Sequence, residues 1–210
     1  TKRHLAPLYS LMVATEPLDD ATIAQLGWHG RATFNDGGQM IIYAQLTHDR
    51  RIAFGGRGAP YHFASRVRDR FDIDDSTHER IVGSITRHFP AAAHAKITHR
   101  WGGPLGVPRD WTPSVVVDRA AKYARIGGYV GDGVAATNLF ARMLVDVLAD
   151  SNTPLSRLPF VNHRSPRWEV EPLRFIGINS LLKLSDSIDD YELRNGKAPR
   201  LRTKIFESLL

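Results

Sequence analysis

Short apolar runs between turn-forming residues dominate the first half of the chain and predict β-strands. Residues 8–15 form an apolar run bounded by Pro7 and Pro17, which is typical of a buried strand. Residues 39–47 and 51–55 are two more strand candidates, and the short polar link between them predicts an antiparallel hairpin. Further strands are predicted at residues 95–101, 115–118, 123–126 and 129–130.

Helical periodicity appears in three long segments and one short one. Residues 20–26 fit one or two helical turns, and residues 173–193 fit an amphipathic helix. Residues 76–89 carry a start signal, because Ser76 can cap the helix and Glu79 completes a capping box. A helix is also predicted from Val134 onward. Its predicted apolar face comprises Thr137, Ala141, Leu144 and Leu148, widened by Phe140 and Val147.

Antiparallel strands followed by scattered helices favour an α+β fold: a mixed, largely antiparallel sheet with flanking helices. Residues 154–172 contain four prolines and are predicted to form an extended arm on the surface. The basic residues 197–210 are predicted to be loose or to pack on a partner.

Composition is that of a globular protein large enough to bury a core. Hydrophobic residues make up 42% of the 210 positions and charged residues 24%. No apolar run is long enough to span a bilayer. The absence of cysteine excludes disulfides, thiolate metal sites and thiol catalysis within this segment, and it fits a cytoplasmic protein.

Charge and motif tests exclude several function classes. The formal net charge is +6, but the basic residues are dispersed among acidic ones and no nucleic-acid module is present, so a nucleic-acid partner is not predicted. The nine histidines form no metal-binding pair, so no metal site is predicted. Neither a G-x-S-x-G elbow nor a phosphate-binding P-loop occurs.

The most informative stretch is a glycine-rich turn between the last predicted strand and the long helix. It contains Gly127, Gly128, Gly131 and Gly133. Glycines allow a tight turn and a close approach to a ligand. Free N–H groups at the start of a helix, together with the helix dipole, favour a negatively charged or electron-rich group.

Two other interpretations of this turn remain open. Gly131, Gly133 and Ala136 fit a relaxed dinucleotide-binding fingerprint, with Asp150 at a suitable distance downstream. That fingerprint requires a second parallel strand ending at the acid, whereas a proline-broken loop follows here. A tight turn without any ligand is the simplest alternative.

A second glycine pair follows an aromatic residue. Trp101 precedes Gly102 and Gly103, an arrangement that lets a flat ligand lie against the backbone. Alternatively, Trp101 is a core residue and the glycines form a bulge.

Four segments in this order resemble a known family. They are ATEPL at residues 14–18, RIAFGGRG at 51–58, HRWGG at 99–103 and GYVGDGVAATNL at 128–139. Together they resemble the C-terminal half of FAD-dependent oxidoreductases of the D-amino acid oxidase superfamily. Within that superfamily, the four segments are most similar to the glycine oxidase, sarcosine oxidase and gamma-glutamylputrescine oxidase branch. HRSPRWEVEPLRFIGIN, at residues 163–179, is similar to the tail of uncharacterised bacterial members.

The resemblance implies two groups of flavin-contacting residues. The turn facing the pyrimidine side of the flavin corresponds to Gly131, Asp132, Gly133, Val134 and Ala135. The strand passing the isoalloxazine ring corresponds to Trp101, Gly102 and Gly103. Relatives often have histidine where Asp132 stands, and we expect Asp132 to cap the helix instead. With no cysteine here, the flavin is expected to be held non-covalently within this segment.

The resemblance also implies oxidation of a C–N bond of a small amine or amino acid to an imine, by hydride transfer to the flavin. The substrate-side candidates are Tyr43, Arg57, Tyr61, His62 and Arg100; no catalytic residue is identified. Leu105 stands where amino-acid oxidases often carry an arginine, which favours an amine, or a carboxylate held by Arg57 or Arg100. A homo-oligomer is compatible with this interpretation.

The family's dinucleotide-binding unit has no counterpart in residues 1–50. We therefore expect a fragment whose N-terminal Rossmann part is absent and which alone binds FAD weakly or not at all. The expected domains are a substrate-binding sheet (1–112), the terminal strand–turn–helix of the FAD-binding domain (113–150) and an arm with a C-terminal helix (151–210). A non-catalytic binding domain that lacks the nucleotide-binding half is the alternative.

Overall fold

The computed structural model describes residues 3–28, 30–56, 58 and 60–209. Within them the chain forms two compact units. The sheet unit comprises Tyr9–His62, Arg66–Pro104 and Phe175–Leu210, and the hairpin unit comprises Thr1–Leu8, Phe63–Ser65 and Leu105–Arg174. The units interleave along the chain, whereas the boundaries predicted after residues 112 and 150 divide it into consecutive segments; those boundaries remain a prediction.

Antiparallel strands and helices together confirm the predicted α+β class. The strands are β1 (Ala6–Thr15), β2 (Thr33–Asn35), β3 (Ile42–Leu46), β4 (Ile52–Gly56), β5 (Ile97–Val107), β6 (Ser114–Asp118) and β7 (Tyr123–Gly127). The helices are α1 (Asp20–Leu26), α2 (Asp75–His88), α3 (Gly133–Leu148), α4 (Leu173–Asn195) and α5 (Arg200–Leu209).

The sheet unit is built on a five-stranded sheet in the order β2-β3-β4-β1-β5. The predicted hairpin is present: β3 and β4 are antiparallel, with Ile42 opposite Gly56 and Tyr43 opposite Gly55. One face of the sheet packs with α2 to form the core, which includes Leu11, Phe54 and Ile81. This one-sided burial agrees with the alternation of apolar and polar positions along the strands.

Helix α2 begins one residue earlier than predicted. Its cap is Asp74, whose carboxylate accepts a hydrogen bond from the Thr77 N–H at 2.8 Å. The predicted capping box of Ser76 and Glu79 is therefore wrong. Asp74 offers an equally good acceptor two residues upstream, so the first turn closes there.

Strand β5 is longer than predicted, because it continues through Gly102 and Gly103 to Val107. The predicted end of this strand at residue 101 is therefore wrong. The two-residue strand predicted at 129–130 is also wrong, since β7 ends at Gly127 and a turn follows.

The hairpin unit consists of the antiparallel pair β6–β7 with α3 packed on it. The buried side of α3 is centred on Phe140 and Met143. The predicted apolar face is rotated around the helix axis relative to the observed buried side, because Thr137 and Leu148 are exposed. Sequence periodicity could not separate this face from the exposed Val134, Val145 and Leu148, since the helix is apolar around much of its circumference.

The proline-rich arm packs against its unit rather than lying loosely on the surface. Trp168 is buried and its Nε1–H donates to the Val107 carbonyl at 2.8 Å, while the Arg109 guanidinium lies over the same indole. The basic tail, predicted to be loose or to pack on a partner, forms α5 with Phe206 buried.

Candidate functional site

The sheet has a second, open face that carries several predicted site residues. Gly56 faces α2, because a Cβ at that position would lie 3.4 Å from Ile81. Leu11, the partner of Gly56 on β1, belongs to the same core. Side chains alternate along a strand. The opposite face therefore carries Ser10, Met12, Tyr43 and Gly55.

Tyr43 is fixed in the middle of this open face. A Cβ at Gly55 would overlap the Tyr43 ring, so the ring lies directly across the glycine backbone. Beyond it, the Tyr43 hydroxyl shares a hydrogen bond with Ser10 Oγ at 2.5 Å. Tyr43 thus spans β4 from β3 to β1. The packing of Gly55 against a tyrosine explains why this position has no side chain.

Trp101 lies on the open face as well. Gly102 points to the core side, since a Cβ there would overlap Leu11 and lie 2.9 Å from the Asp72 carbonyl oxygen. Alternation then places Trp101 and Gly103 on the other side of β5. Trp101 is 40% exposed, so it does not belong to the core. An accessible indole plane is a suitable surface for a flat or apolar ligand.

The other substrate-side candidates do not join Tyr43 on this face. Arg100 shares the parity of Gly102, and its guanidinium lies 3.8 Å from the Asp75 carboxylate at the start of α2. Tyr61 is only 1% exposed and its ring packs against Phe175 of α4, which favours a packing role for its side chain. Arg57 lies outside the described residues.

His62 is held in an aromatic stack. Its ring lies 3.4 Å from the Phe71 ring centroid at an interplanar angle of 12°, and Tyr9 meets it edge-on. Burial lowers the pKa of His62 below its ordinary value of 6.5; Asp74 opposes the shift and Arg70 adds to it. His62 is therefore neutral at pH 7 and offers an uncharged imidazole.

In the hairpin unit, the glycine-rich turn adopts the geometry that its sequence predicts. Gly128, Val130 and Gly131 have φ angles of 84°, 53° and 103°, all in the left-handed region. A Cβ at Gly131 would lie 3.6 Å from Leu105. Leu105, the residue that stands where an arginine was expected for an amino-acid oxidase, therefore lies beside this turn. Helix α3 begins directly after it.

The start of α3 is accessible. Val134 is 97% exposed, and Asp132 and Ala135 are also exposed. Asp132 occupies the cap position, yet its side chain makes no capping hydrogen bond, so its predicted capping role is wrong. The first-turn amides of Gly133, Val134 and Ala135 have no intrahelical acceptor. An open turn with available N–H groups fits the electron-rich edge of a flavin.

The dinucleotide-fingerprint interpretation of this turn fails. Asp150 does not end a strand. It follows α3, and its carboxylate forms an ion pair with the Arg119 guanidinium at 2.6 Å. A ribose-binding acid would stand at the end of a second parallel strand.

Ser10 and Met12 were missed by the sequence reasoning. Both lie in the apolar run read as a buried strand, and Ser10 is the only polar side chain between Tyr9 and Val13. Applying the two-residue period to that run would have separated them from Leu11 and Val13.

The described residues bear on two further kinds of site, a metal centre and a membrane-spanning helix. Across the described ranges, no group of three histidine or acidic residues is arranged to hold a metal ion. None of the helices within those ranges has the length and apolar content needed to cross a bilayer.

Comparison with protein-family models matches the chain to a family of flavin enzymes. The model of the family "DAO: FAD dependent oxidoreductase" matches residues 1–147. The probable oxidoreductase OrdL of Haemophilus influenzae is 27% identical over 160 residues, covering 73% of this chain and 32% of OrdL. Gamma-glutamylputrescine oxidoreductase of Escherichia coli is 28% identical over 139 residues, covering 63% of this chain and 30% of that protein.

Solved structures show the same fold. Glycine oxidase from Geobacillus kaustophilus has a TM-score of 0.61 at 14% identity, covering 78% of this chain and 40% of that one. L-proline dehydrogenase from P. horikoshii has a TM-score of 0.59 at 18% identity, covering 74% and 38%. The chain spans about a third of the length of the curated relatives it matches. With more than half of its residues matched, the chain belongs to the DAO family of FAD-dependent oxidoreductases.

Proposed function

We propose that the chain contributes the substrate-side sheet and a flavin-contacting turn to an enzyme that oxidises a C–N bond of a small amine to an imine. The observation that carries the proposal is the family match over residues 1–147, which includes both the sheet and the turn. By their names, gamma-glutamylputrescine oxidoreductase acts on gamma-glutamylputrescine and glycine oxidase acts on glycine, an amino acid; both compounds carry C–N bonds.

The turn at the start of α3 is the proposed flavin contact in the hairpin unit. The amides of Gly133, Val134 and Ala135 would donate to an electron-rich edge, and the helix dipole adds positive potential. A bound flavin supplies a two-electron acceptor for a hydride from the carbon next to nitrogen. The nitrogen lone pair would form the C=N bond as the hydride leaves, and the resulting iminium would lose its N–H proton to water to give the imine. Water would then hydrolyse the imine to a carbonyl compound and the released amine.

The open sheet face is the proposed substrate surface in the sheet unit. Tyr43 offers a hydroxyl held by Ser10, and Trp101 and Met12 offer apolar area. These side chains are uncharged, and Arg100 pairs with Asp75 on the other face. Among the described residues this arrangement supports an amine more than an amino acid, whose carboxylate would call for a cationic partner such as Arg57, which lies outside them.

The test is anaerobic mixing of the complete gene product that carries this chain, loaded with FAD, with a panel of amines and amino acids. Bleaching of the flavin absorbance by an amine, with release of a carbonyl compound, is the expected result. A protein that holds flavin but is reduced by none of the panel would contradict amine oxidation. A protein that holds no flavin would favour the non-catalytic binding domain.

A further inference from the structure

Helix α4 lies beyond residues 1–147 and yet is built into the sheet unit. Ile178, Ser185 and Ile188 on one side of the helix are buried. Three polar side chains on α4 reach residues in the first half of the chain. They are Asn179, Asp186 and Asp189.

Asn179 brackets the backbone of Tyr61. Its Oδ1 accepts from the Tyr61 N–H at 3.1 Å, and its Nδ2 donates to the Tyr61 carbonyl at 3.1 Å. The same Nδ2 also donates to the Phe175 carbonyl one turn back at 2.9 Å. One amide side chain therefore satisfies both polar groups of a single loop residue, as a neighbouring strand would do.

Asp189 holds the segment before β3. Its two carboxylate oxygens accept from the N–H groups of Gln39 and Met40, at 3.0 and 2.7 Å. Met40 in turn contacts the segment after β4, since a Cβ at Gly58 would lie 3.2 Å from its sulfur. Backbone amides paired to a carboxylate make charge-assisted hydrogen bonds, which are stronger than neutral ones.

Asp186 reaches the segment after β4 through an arginine. Arg80 of α2 donates to Asp186 at 2.8 Å and to the Gly58 carbonyl at 3.1 Å. The two segments held by α4 thus enter β3 and leave β4 at one end of the sheet. At this end, Tyr43 stands opposite Gly55.

We propose that Asn179 and Asp189 are positioning residues for the substrate surface, acting through the backbone of Tyr61 and of Gln39–Met40. They fix the two segments that flank the Tyr43–Gly55 pair. The claim rests on the proposed function, because it takes the open sheet face as the place where substrate binds. Substrate affinity then depends on α4 through its hydrogen bonds to the backbone of Tyr61, Gln39 and Met40.

Hydrogen exchange in the complete gene product tests the contacts without any activity. Asn179→Ala and Asn179→Leu, which keeps about the size of the side chain, both remove the acceptor of the Tyr61 N–H, so exchange of the peptide containing Tyr61 is expected to rise roughly three- to tenfold, the value of about one net hydrogen bond. Asn195→Ala is the control, because Asn195 bonds only its own helix, at the Tyr191 carbonyl. Asp189→Ala, with Asp190→Ala as control, is expected to act in the same way on the peptide containing Gln39 and Met40. Unchanged exchange, or an equal rise in the controls, would contradict the hydrogen bonds of Asn179 to Tyr61 and of Asp189 to Gln39 and Met40.

Steady-state kinetics tests the positioning role. Asn179→Leu and Asp189→Ala are expected to raise KM for the amine about tenfold while kcat stays within about twofold, as for a loss of binding shared by ground and transition states. Faster exchange with unchanged KM would overturn positioning and leave amine oxidation intact. If the unsubstituted protein oxidises no amine, the proposed function and the positioning claim fail together, whereas the exchange result still stands for the contacts.

Discussion

The ring of Tyr43 lies directly across the backbone of Gly55, its partner on the neighbouring strand, and leaves no room for a side chain there. The same tyrosine reaches Ser10 on the next strand. One side chain therefore ties three strands together on the face that we propose for substrate. The absence of a Cβ at Gly55 is the condition for this arrangement.

Gly55→Ala is expected to destabilise the protein by about 1–3 kcal/mol, because the added methyl group collides with the Tyr43 ring and the ring must leave its place. Denaturant unfolding measures the change. Gly83→Ala is the matched control, since a Cβ on this exposed face of α2 meets no atom within 4 Å. It should stabilise by roughly 0.5–1 kcal/mol through helix propensity. Equal effects of the two substitutions would refute the packing argument.

The Ser10–Tyr43 hydrogen bond predicts a coupling between the two side chains. In a double-mutant cycle of Ser10→Ala and Tyr43→Phe, the free energies of unfolding should show an interaction of about 0.5–1.5 kcal/mol. Ser84→Ala, whose hydroxyl donates to the Arg80 carbonyl within α2, is expected to add independently to Tyr43→Phe. A cycle that is additive within error would show that the hydroxyl pair does not persist in solution.

His62 gives a pH dependence with a defined sign. Burial lowers the pKa of His62 in the folded protein below its ordinary value of 6.5. Between those two values the unfolded chain binds a proton that the folded protein does not, so stability is complete above about pH 6.5 and falls on acidification. His62→Phe keeps a ring against Phe71 and is expected to lose this part of the pH dependence. Unfolding at a series of pH values measures it.

The control for this prediction is His48→Phe in the exposed β3–β4 turn. This substitution should leave the acid-side slope of stability in place. A His62→Phe protein with the same slope as the unsubstituted protein would contradict the role assigned to burial.

The open start of α3 predicts opposite effects on folding and on flavin binding. Val134→Asp should stabilise the helix by about 0.3–1 kcal/mol, because an acidic residue in the first turn interacts favourably with the helix dipole. The same negative charge should weaken FAD binding by repelling an electron-rich flavin edge. Thermal unfolding and a flavin titration of the complete gene product measure the two effects.

Val145→Asp provides the comparison, since Val145 is also exposed but lies in the last turn of the same helix, away from the proposed flavin contact. It should leave FAD affinity unchanged. If Val134→Asp also leaves the affinity unchanged, the first turn of α3 does not contact the flavin.

Local patterns predicted the elements whose signals lie within a few residues. The β3–β4 hairpin follows from two apolar runs and a polar link, and α1 was predicted with its observed bounds, Asp20–Leu26. Boundaries failed where two groups compete for one role: Asp74 and Ser76 can both cap α2, and only the packed structure selects Asp74.

The site was less predictable, because it depends on which face each strand presents. Tyr43 and Trp101 were identified, but their common face follows from the close packing of Gly55 and Gly102, which no local pattern shows. Arg100 was placed with them by residue type alone and lies on the other side of its strand. The Asn179–Tyr61 bracket joins residues 118 positions apart, beyond the reach of any periodicity.

That separation matters to anyone choosing boundaries for recombinant expression. A chain trimmed to the family match, ending near residue 147, would keep every strand and lose α4. The amides of Gln39, Met40 and Tyr61 would then lose their acceptors on α4. The apolar side chains that pack against Ile178 and Ile188 would become exposed to solvent. A truncated protein of this kind would retain the architecture of its relatives while becoming prone to aggregate, so the trailing helix should be retained in any minimal version.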